Sequence, residues 1–410
     1  MNSEIKFFTN NDFIKSDIQF YDFLSSSENI NISPFSDETI DFINNFSKSI
    51  LLDRNSRKFP ELVVLADFFS KRNTKKIFNR ISDENNNYVF LPLGKTFHIA
   101  PSNVDTIFLY SSLIALMCGN ICLIRLSSQH TEQINFAIEK LNLVLSQHSK
   151  FLKRLFVFNY EHNNEITRRI SSHIDLRVIW GGDNSVKEIR SIQLNPMARE
   201  LTFPNRFSFT VIKSKEVISN QSDLNNMVDS FIKDTVYFDQ QACSSPRSLI
   251  WLGSQTDNKK AQDIFWKNYL SLLTSKDYQN TSGMMMDRFV ASNFLSAINL
   301  SKRVNSAIDY PTRLKVHDLN SQILREFHPG NGLFYEIEVQ NIDQIAKQVK
   351  NTDQTLTYFG LDNSEISDLL SLISNRGLDR ILPIGEALDF SVIWDGYDLI
   401  EAFTRKVVIR

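Results

Sequence analysis

The residue with the strongest claim to chemistry is Cys243, in the stretch Tyr237-Phe238-Asp239-Gln240-Gln241-Ala242-Cys243-Ser244-Ser245-Pro246. Ahead of it, Leu224, Met227, Val228, Phe231, Ile232 and Val236 recur at helical intervals, so the spacing predicts a helix with Ser222 or Asp223 as its cap. Behind it, Ser248-Leu249-Ile250-Trp251-Leu252, bounded by Gly253, reads as a short buried strand. Cys243 therefore falls in a helix-to-strand connection. A thiol held there can be aimed, and local backbone N–H groups can stabilise its thiolate as a nucleophile. A small buried hydrophobe satisfies the same pattern, because free cysteine is among the most buried residue types. Both readings stand on spacing alone.

Other reactive residue types form fewer patterns. Cys118 and Cys122 lie in an apolar run without Cys or His companions at zinc spacing, and read as core. The histidines show no paired metal spacing, so no metal is expected. There is no G-x-G-x-x-G, no P-loop and no G-x-S-x-G elbow. Gly181-Gly182-Asp183 follows an apolar strand and precedes a helix pattern, where a glycine backbone can approach a phosphate or ribose at a helix N-terminus. Glycine needed only for its φ angle would give the same triplet.

These residues have to be positioned by the surrounding elements, and from about residue 88 strand and helix signals alternate. Strands are predicted over 96–100, 121–125, 155–158 and 176–180, with helices over 104–118 and around Ile134, Ala137, Ile138, Leu141 and Leu145. Continuous apolar strands alternating with helices imply a parallel sheet covered on both faces, that is, a doubly wound domain. The second half follows the same style, with a helix over 262–273, a strand over 333–339, a helix over 343–350, a strand over 355–359 and a helix over 365–373. Between these, Gly283-Met284-Met285-Met286 is open to two readings, an acyl channel or ordinary core.

Composition sets outer limits. The 410 residues suffice for two or three domains. With 45 Lys+Arg against 47 Asp+Glu there is no basic field for nucleic acid. Three cysteines do not make a disulfide framework and fit a reducing cytoplasm. Residues 1–6 lack the basic and apolar regions of a signal peptide, so a cytoplasmic protein is expected. The uncharged stretch 106–123 comes near spanning length, but Ser111-Ser112 and Gly119-Asn120 divide it into a buried helix, a turn and a strand, so no transmembrane segment is expected.

Three separated stretches, taken together, resemble the aldehyde dehydrogenase superfamily: His98-Ile99-Ala100-Pro101-Ser102-Asn103-Val104, Gly119 to Ser128, and Gln240 to Pro246. With Ile179-Trp180-Gly181-Gly182-Asp183 and Trp394-Asp395-Gly396-Tyr397-Asp398-Leu399-Ile400, the chain is most similar to the long-chain acyl-CoA reductases of bacterial bioluminescence operons (LuxC-like). The resemblance implies an aldehyde dehydrogenase-like α/β fold. Residues 1–206 would hold an N-terminal segment and a Rossmann-type NADP-binding domain, 207–383 a catalytic domain with the nucleophilic cysteine, and 384–410 a segment returning to the cofactor domain.

The same resemblance assigns roles. Cys243 becomes the acyl-accepting nucleophile, and Asn103 the side-chain donor of an oxyanion hole. Arg125 stands where the superfamily carries a ribose-binding lysine. Ser128 replaces an acidic residue that would repel a 2′-phosphate, so with Ser127 and Arg125 it favours NADPH. Gly181, Gly182 and Asp183 complete the expected cofactor contacts. The Glu-Leu-Gly-Gly-Lys stretch of the hydrolytic members is degraded to Arg199-Glu200-Leu201-Thr202-Phe203, leaving Glu200 as the candidate base and favouring reduction over hydrolysis. Glu326-Phe327-His328-Pro329-Gly330 is faintly similar to the Glu-Ile-Phe-Gly-Pro that binds the nicotinamide ribose. The implied activity is NADPH-dependent reduction of an acyl-CoA or acyl-protein thioester to an aldehyde, with an acyl-protein synthetase as a partner and a homo-oligomeric state. A hydrolytic NAD(P)-dependent dehydrogenase and a non-redox acyl-transfer protein are the alternatives.

Overall fold

The computed structural model describes residues 4–9, 14, 16–26, 32–82, 87–128, 131–220, 222–276, 278 and 280–410. Its chain divides into two compact units, Met1–Asn205 with Phe390–Arg410, and Arg206–Asp389.

The first unit contains β1 (Lys6–Phe7), β2 (Tyr88–Pro92), β3 (Lys95–Ile99), β4 (Ile121–Arg125), β5 (Leu155–Asn159), β6 (Leu176–Trp180) and β7 (Arg199–Phe203). All but β2 form one sheet in the order β1-β5-β4-β3-β6-β7, with β3 to β7 parallel and β1 antiparallel at the edge. Leu123, Ile124, Phe156, Val157, Val178 and Ile179 are fully buried, as strands covered on both faces must be. The helix Ile107–Met117 is buried along its whole length, which accounts for the apolar stretch without any membrane. No described helix is long and apolar enough to cross one. The chain steps outward from β3 to β4 to β5, then returns to the other side of β3 for β6 and β7. That reversal is a topological switch point, and the carboxyl ends of β3 and β6 flank the crevice it creates.

The second unit contains β8 (Phe207–Lys213), β9 (Ser248–Leu252), β10 (Lys302–Arg303), β11 (Thr312–Lys315), β12 (Leu333–Val339), β13 (Asp353–Phe359) and β14 (Arg380–Pro383). They form a sheet in the order β10-β11-β12-β9-β8-β13-β14, parallel except for β10. Alternate residues feed two cores. Phe209, Val211, Ile250, Tyr335 and Leu356 pack on one face. Ile212, Leu249, Trp251 and Phe334 pack on the other, against the helices Leu224–Val236 and Gln255–Ser275.

After this unit the chain adds β15 (Ile393–Trp394), β16 (Tyr397–Asp398) and β17 (Thr404–Val408) to the first. β17 pairs antiparallel with β2. Asn120 Nδ2 donates to Phe403 O at 2.8 Å and Arg199 donates to Thr404 O at 2.9 Å, which anchors the returning segment.

Several local expectations change. The Met-rich stretch is a helix, Ser282–Ala297, capped by Thr281. The helix expected over 262–273 is longer, Gln255–Ser275, because Ser254 caps it by accepting from Asp257 N. The helix expected over 343–350 is a short one, Ile342–Ala346. Asp223 stands at the cap position of Leu224–Val236 without capping it; its carboxylate accepts from Asn226 Nδ2 instead.

Candidate active site

Cys243 lies half-buried in the turn between the helix Leu224–Val236 and β9, at the amino-terminal edge of the second sheet. Three strand starts converge there. Ser208, at the start of β8, donates its hydroxyl to Cys243 O at 2.7 Å and accepts from Thr355 N at 3.2 Å. Gln354, at the start of β13, donates its amide to Cys243 Sγ at 3.2 Å. Arg247, entering β9, donates its backbone N–H to Ser208 O at 2.9 Å. Burial draws the Arg247 guanidinium below its ordinary range, and the charge that Cys243 can carry acts in the opposite direction.

The loop holding the cysteine is over-determined. Asp239 and Gln240 both adopt left-handed backbone, at φ +48° and +59°, which costs roughly 1–3 kcal/mol for a non-glycine residue. Gln240 is fully buried and holds that geometry: its Nε2 donates to Pro246 O at 2.9 Å and Leu333 O at 3.2 Å, and its Oε1 accepts from Gly332 N at 2.8 Å. Gln241 Nε2 donates to Pro329 O at 2.9 Å. Asn331 N donates to Asp239 O at 2.7 Å, so the segment before β12 is laced to the cysteine loop along its length. Gly332 sits at φ +84° with an ideal Cβ only 2.1 Å from the Tyr310 ring, so no side chain fits there.

His328, in the same segment, is not a general base. Its Nδ1 accepts from Gly330 N at 3.1 Å, and Nε2 faces Arg247 O at 3.0 Å, so both ring nitrogens are engaged. Burial, reinforced by the Arg247 charge, holds its pKa well below the usual histidine range.

The other two cysteines are core, as their context implies. Cys118 and Cys122 are fully buried, and burial pushes the Cys122 thiol up to about 12. His98 is core too. Thr96 and Ser111 hydroxyls hold its two nitrogens at 2.9 and 2.7 Å, and burial pulls its pKa down to about 3. Among the described residues no group of His, Cys, Asp and Glu could hold a metal ion.

In the first unit, the residues expected to contact the cofactor, and Asn103, expected to hold the oxyanion, lie at the carboxyl edge of the sheet. Asn103 is exposed on the connection after β3, Ser127 and exposed Ser128 follow β4, and Gly181-Gly182 follows β6. β4, β3 and β6 are neighbours, so these segments flank the switch point. Arg125 lays its guanidinium over the Tyr160 ring, 4.3 Å from the centroid, and Ser127 O accepts from Asn159 Nδ2 at 2.8 Å. Asp183 opens the helix Asp183–Arg190 and accepts from Asn205 N at 3.1 Å.

Gly181 and Gly182 need glycine neither for a left-handed φ nor for close packing against the rest of the chain. Gly182 has φ −64°, neither residue is left-handed, and an added Cβ would meet nothing closer than 3.6 Å. The missing Cβ leaves the backbone open to a group arriving from outside the chain, which fits a dinucleotide cofactor.

Glu200 corrects one expectation. Its carboxylate is bound by fully buried Arg177, whose Nε donates at 2.8 Å, and by Arg190 Nε at 3.0 Å. It pairs in register with Arg177 at the amino-terminal half of β6, away from the Gly181 edge. Both of its carboxylate oxygens are thus engaged by guanidiniums.

The match to known proteins follows this geometry. Residues 64–270, just over half of the chain, match the family model described as acyl-CoA reductase (LuxC). The chain belongs to the LuxC family. Curated LuxC-family relatives include the "long-chain acyl-protein thioester reductase" of Photorhabdus luminescens, 27% identical over 310 residues, covering 73% of this chain and 61% of that protein. The protein of the same name from Photorhabdus laumondii is 26% identical over 302 residues, covering 72% and 58%. The chain thus spans about three fifths of the length of these relatives.

Among solved structures, Staphylococcus aureus AldH in a substrate-bound state superposes with a TM-score of 0.65 at 13% identity, over 94% of this chain and 92% of that one. The NAD-dependent aldehyde dehydrogenase of Sinorhizobium meliloti gives 0.67 at 10% identity, over 94% and 84%. The fold of this LuxC-family chain is that of the aldehyde dehydrogenases.

The parts played by Ser208, Gln240 and Arg247 leave no mark in the sequence. A trace of Gln354 does exist: Asp353-Gln354-Thr355 puts three polar residues at the head of a buried parallel strand, where an apolar run is the norm.

Proposed function

We propose that this chain reduces a long-chain acyl thioester, on CoA or on a protein, to the aldehyde through an acyl group carried on Cys243. The observation that carries the reading is the state of the cysteines in a LuxC-family chain: two are sealed in the core, while the third is half-buried on a strained, pinned loop with an amide donor on its sulfur.

The chemistry proceeds in two displacements. Cys243 as thiolate attacks the thioester carbonyl, negative charge gathers on oxygen, and the carrier thiolate departs as the acyl–sulfur bond forms. Asn103 serves as a side-chain donor to that oxygen; removing one such donor typically costs about 3 kcal/mol of barrier. Arg125, Ser127, Ser128 and the Gly181-Gly182 turn hold the cofactor, with Ser128 in place of an acid so that a 2′-phosphate is tolerated. When bound, NADPH supplies the hydride that reduces the acyl-enzyme. The thiohemiacetal on Cys243 then collapses: its C–S bond breaks, the electron pair returns to sulfur, and the aldehyde leaves. No water has to be activated in this sequence, so Glu200 is free to act as an ion-pair anchor for β7, and the hydrolytic alternative lacks its base.

The test is NADPH oxidation with a panel of long-chain acyl-CoA substrates, together with intact-mass detection of the acyl adduct. Cys243→Ala should lose both. Undiminished NADPH oxidation by that variant would remove the reading, and an adduct formed without any NADPH binding would favour the non-redox acyl-transfer alternative.

A further inference from the structure

Resting on the reading of Cys243 as the nucleophile, we infer that Gln354 is a positioning residue for the thiolate, donating a side-chain N–H to its sulfur both before attack and when the C–S bond is broken.

A thiolate needs a stabilising partner; at this edge of the sheet Arg247 supplies a positive charge, while the neighbouring helix ends and His328 do not. The helix leading into the loop, Leu224–Val236, presents its carboxyl end, whose carbonyls disfavour a nearby negative charge. The following helix starts only at Gln255, beyond β9, so its amino end comes late. His328 has both nitrogens committed and is held neutral by burial, so it supplies no imidazolium.

Gln354 has what is needed. It is fully buried, and it sits at the start of β13, where the pairing with β8 shifts register between Asp353 and Leu356 and the Gln354 carbonyl accepts from Asp379 N at 2.9 Å. Its Oε1 accepts from Thr355 Oγ1 at 3.2 Å, which turns Nε2 toward the sulfur, 3.2 Å away. A buried amide at the head of a parallel strand is costly unless paired, and the sulfur gives it a partner.

A neutral donor also suits a sulfur that is used twice. Hydrogen bonding to the charged form favours it, while an amide gives up no proton, so the sulfur stays a nucleophile on attack and can accept the electron pair when the aldehyde leaves. Arg247, half-buried, adds a positive charge to the same edge, and Gln354 fixes the direction in which the sulfur points.

The experiment is the pH profile of Cys243 alkylation by iodoacetamide in the full chain, read by mass spectrometry of the Cys243 peptide, so that the two core cysteines do not interfere. Gln354→Met, of similar size without a donor, should move the midpoint upward by about one pH unit. Gln354→Leu, which also removes the donor without adding charge, should move it in the same direction, and it decides the question if the Met variant does not fold. A lowered melting temperature with an unchanged midpoint would show a merely structural residue and overturn the inference. Because alkylation needs no cofactor or acyl substrate, this outcome is separate from failure of the reductase reading, which Cys243→Ala tests in the turnover assay.

Discussion

Gln240 shows how much of the cysteine loop depends on a single side chain. Its amide group satisfies two carbonyls and one N–H in the interior, and it does so from a left-handed backbone that glutamine rarely adopts. Replacing it with leucine would leave those three groups without a partner, and each orphaned buried polar group costs about 1–3 kcal/mol. Gln240→Leu should therefore lower the stability of the second unit by about 3 kcal/mol or more, measured by denaturant unfolding. A loss below about 1 kcal/mol would mean that the loop is held by other means. Gln240 and Gln241 were visible in the sequence as part of the cysteine motif. Their structural work was not, because all but one of the groups named, Pro246 O, lie around residues 329–333, some 90 positions along the chain.

The helix Leu224–Val236 is tied to the chain after β14 by a buried acid. Asp234 accepts from Gly385 N at 2.7 Å and from Ala387 N at 3.0 Å. Burial nevertheless raises its pKa to about 7, since the two N–H bonds offset only part of the desolvation. An unfolded aspartate titrates near about 3.9. Between these values the folded chain keeps a proton that the unfolded chain has released, so the contribution is fully present below the unfolded value and is lost as pH rises through about 7. The melting temperature of the second unit should thus carry a falling component between about pH 4 and about pH 7. Asp234→Asn, neutral throughout like the protonated acid, should flatten it; an identical slope in the variant would exclude Asp234 as its source. At this scale the helix Ser282–Ala297 is hidden in the sequence for a clear reason. Met286, Phe289, Val290 and Phe294 face solvent while Arg288 is buried, so the apolar periodicity that marks a helix is blurred.

Across the whole molecule, the first unit is assembled from both ends of the sequence. Leu399, Ile400 and Phe403 are buried in it, Tyr110 donates its hydroxyl to Ser391 O at 2.5 Å, and β17 covers the open side of β2. A chain ending at residue 389 loses all of these and leaves the Asn120 and Arg199 donors without their acceptors. In limited proteolysis of that chain, Met1–Asn205 should be cut rapidly while Arg206–Asp389 survives. Equal protection of the two would show that the returning segment contributes little to the first unit.

The sequence by itself determined the local patterns: the apolar runs of β4, β5, β6, β9 and β12, the helix that leads to Cys243, and the glycine pair after β6. Each is set by which face of a short segment is removed from water, and that leaves a periodic trace. The tertiary structure alone decided the strand order that makes a switch point between β3 and β6, and the partners of the cysteine. Ser208 and Gln354 reach Cys243 from 35 and 111 residues away. A hydrogen bond across such a span has no period or spacing in the sequence, because only the packing of strands β8, β9 and β13 side by side brings its two ends together.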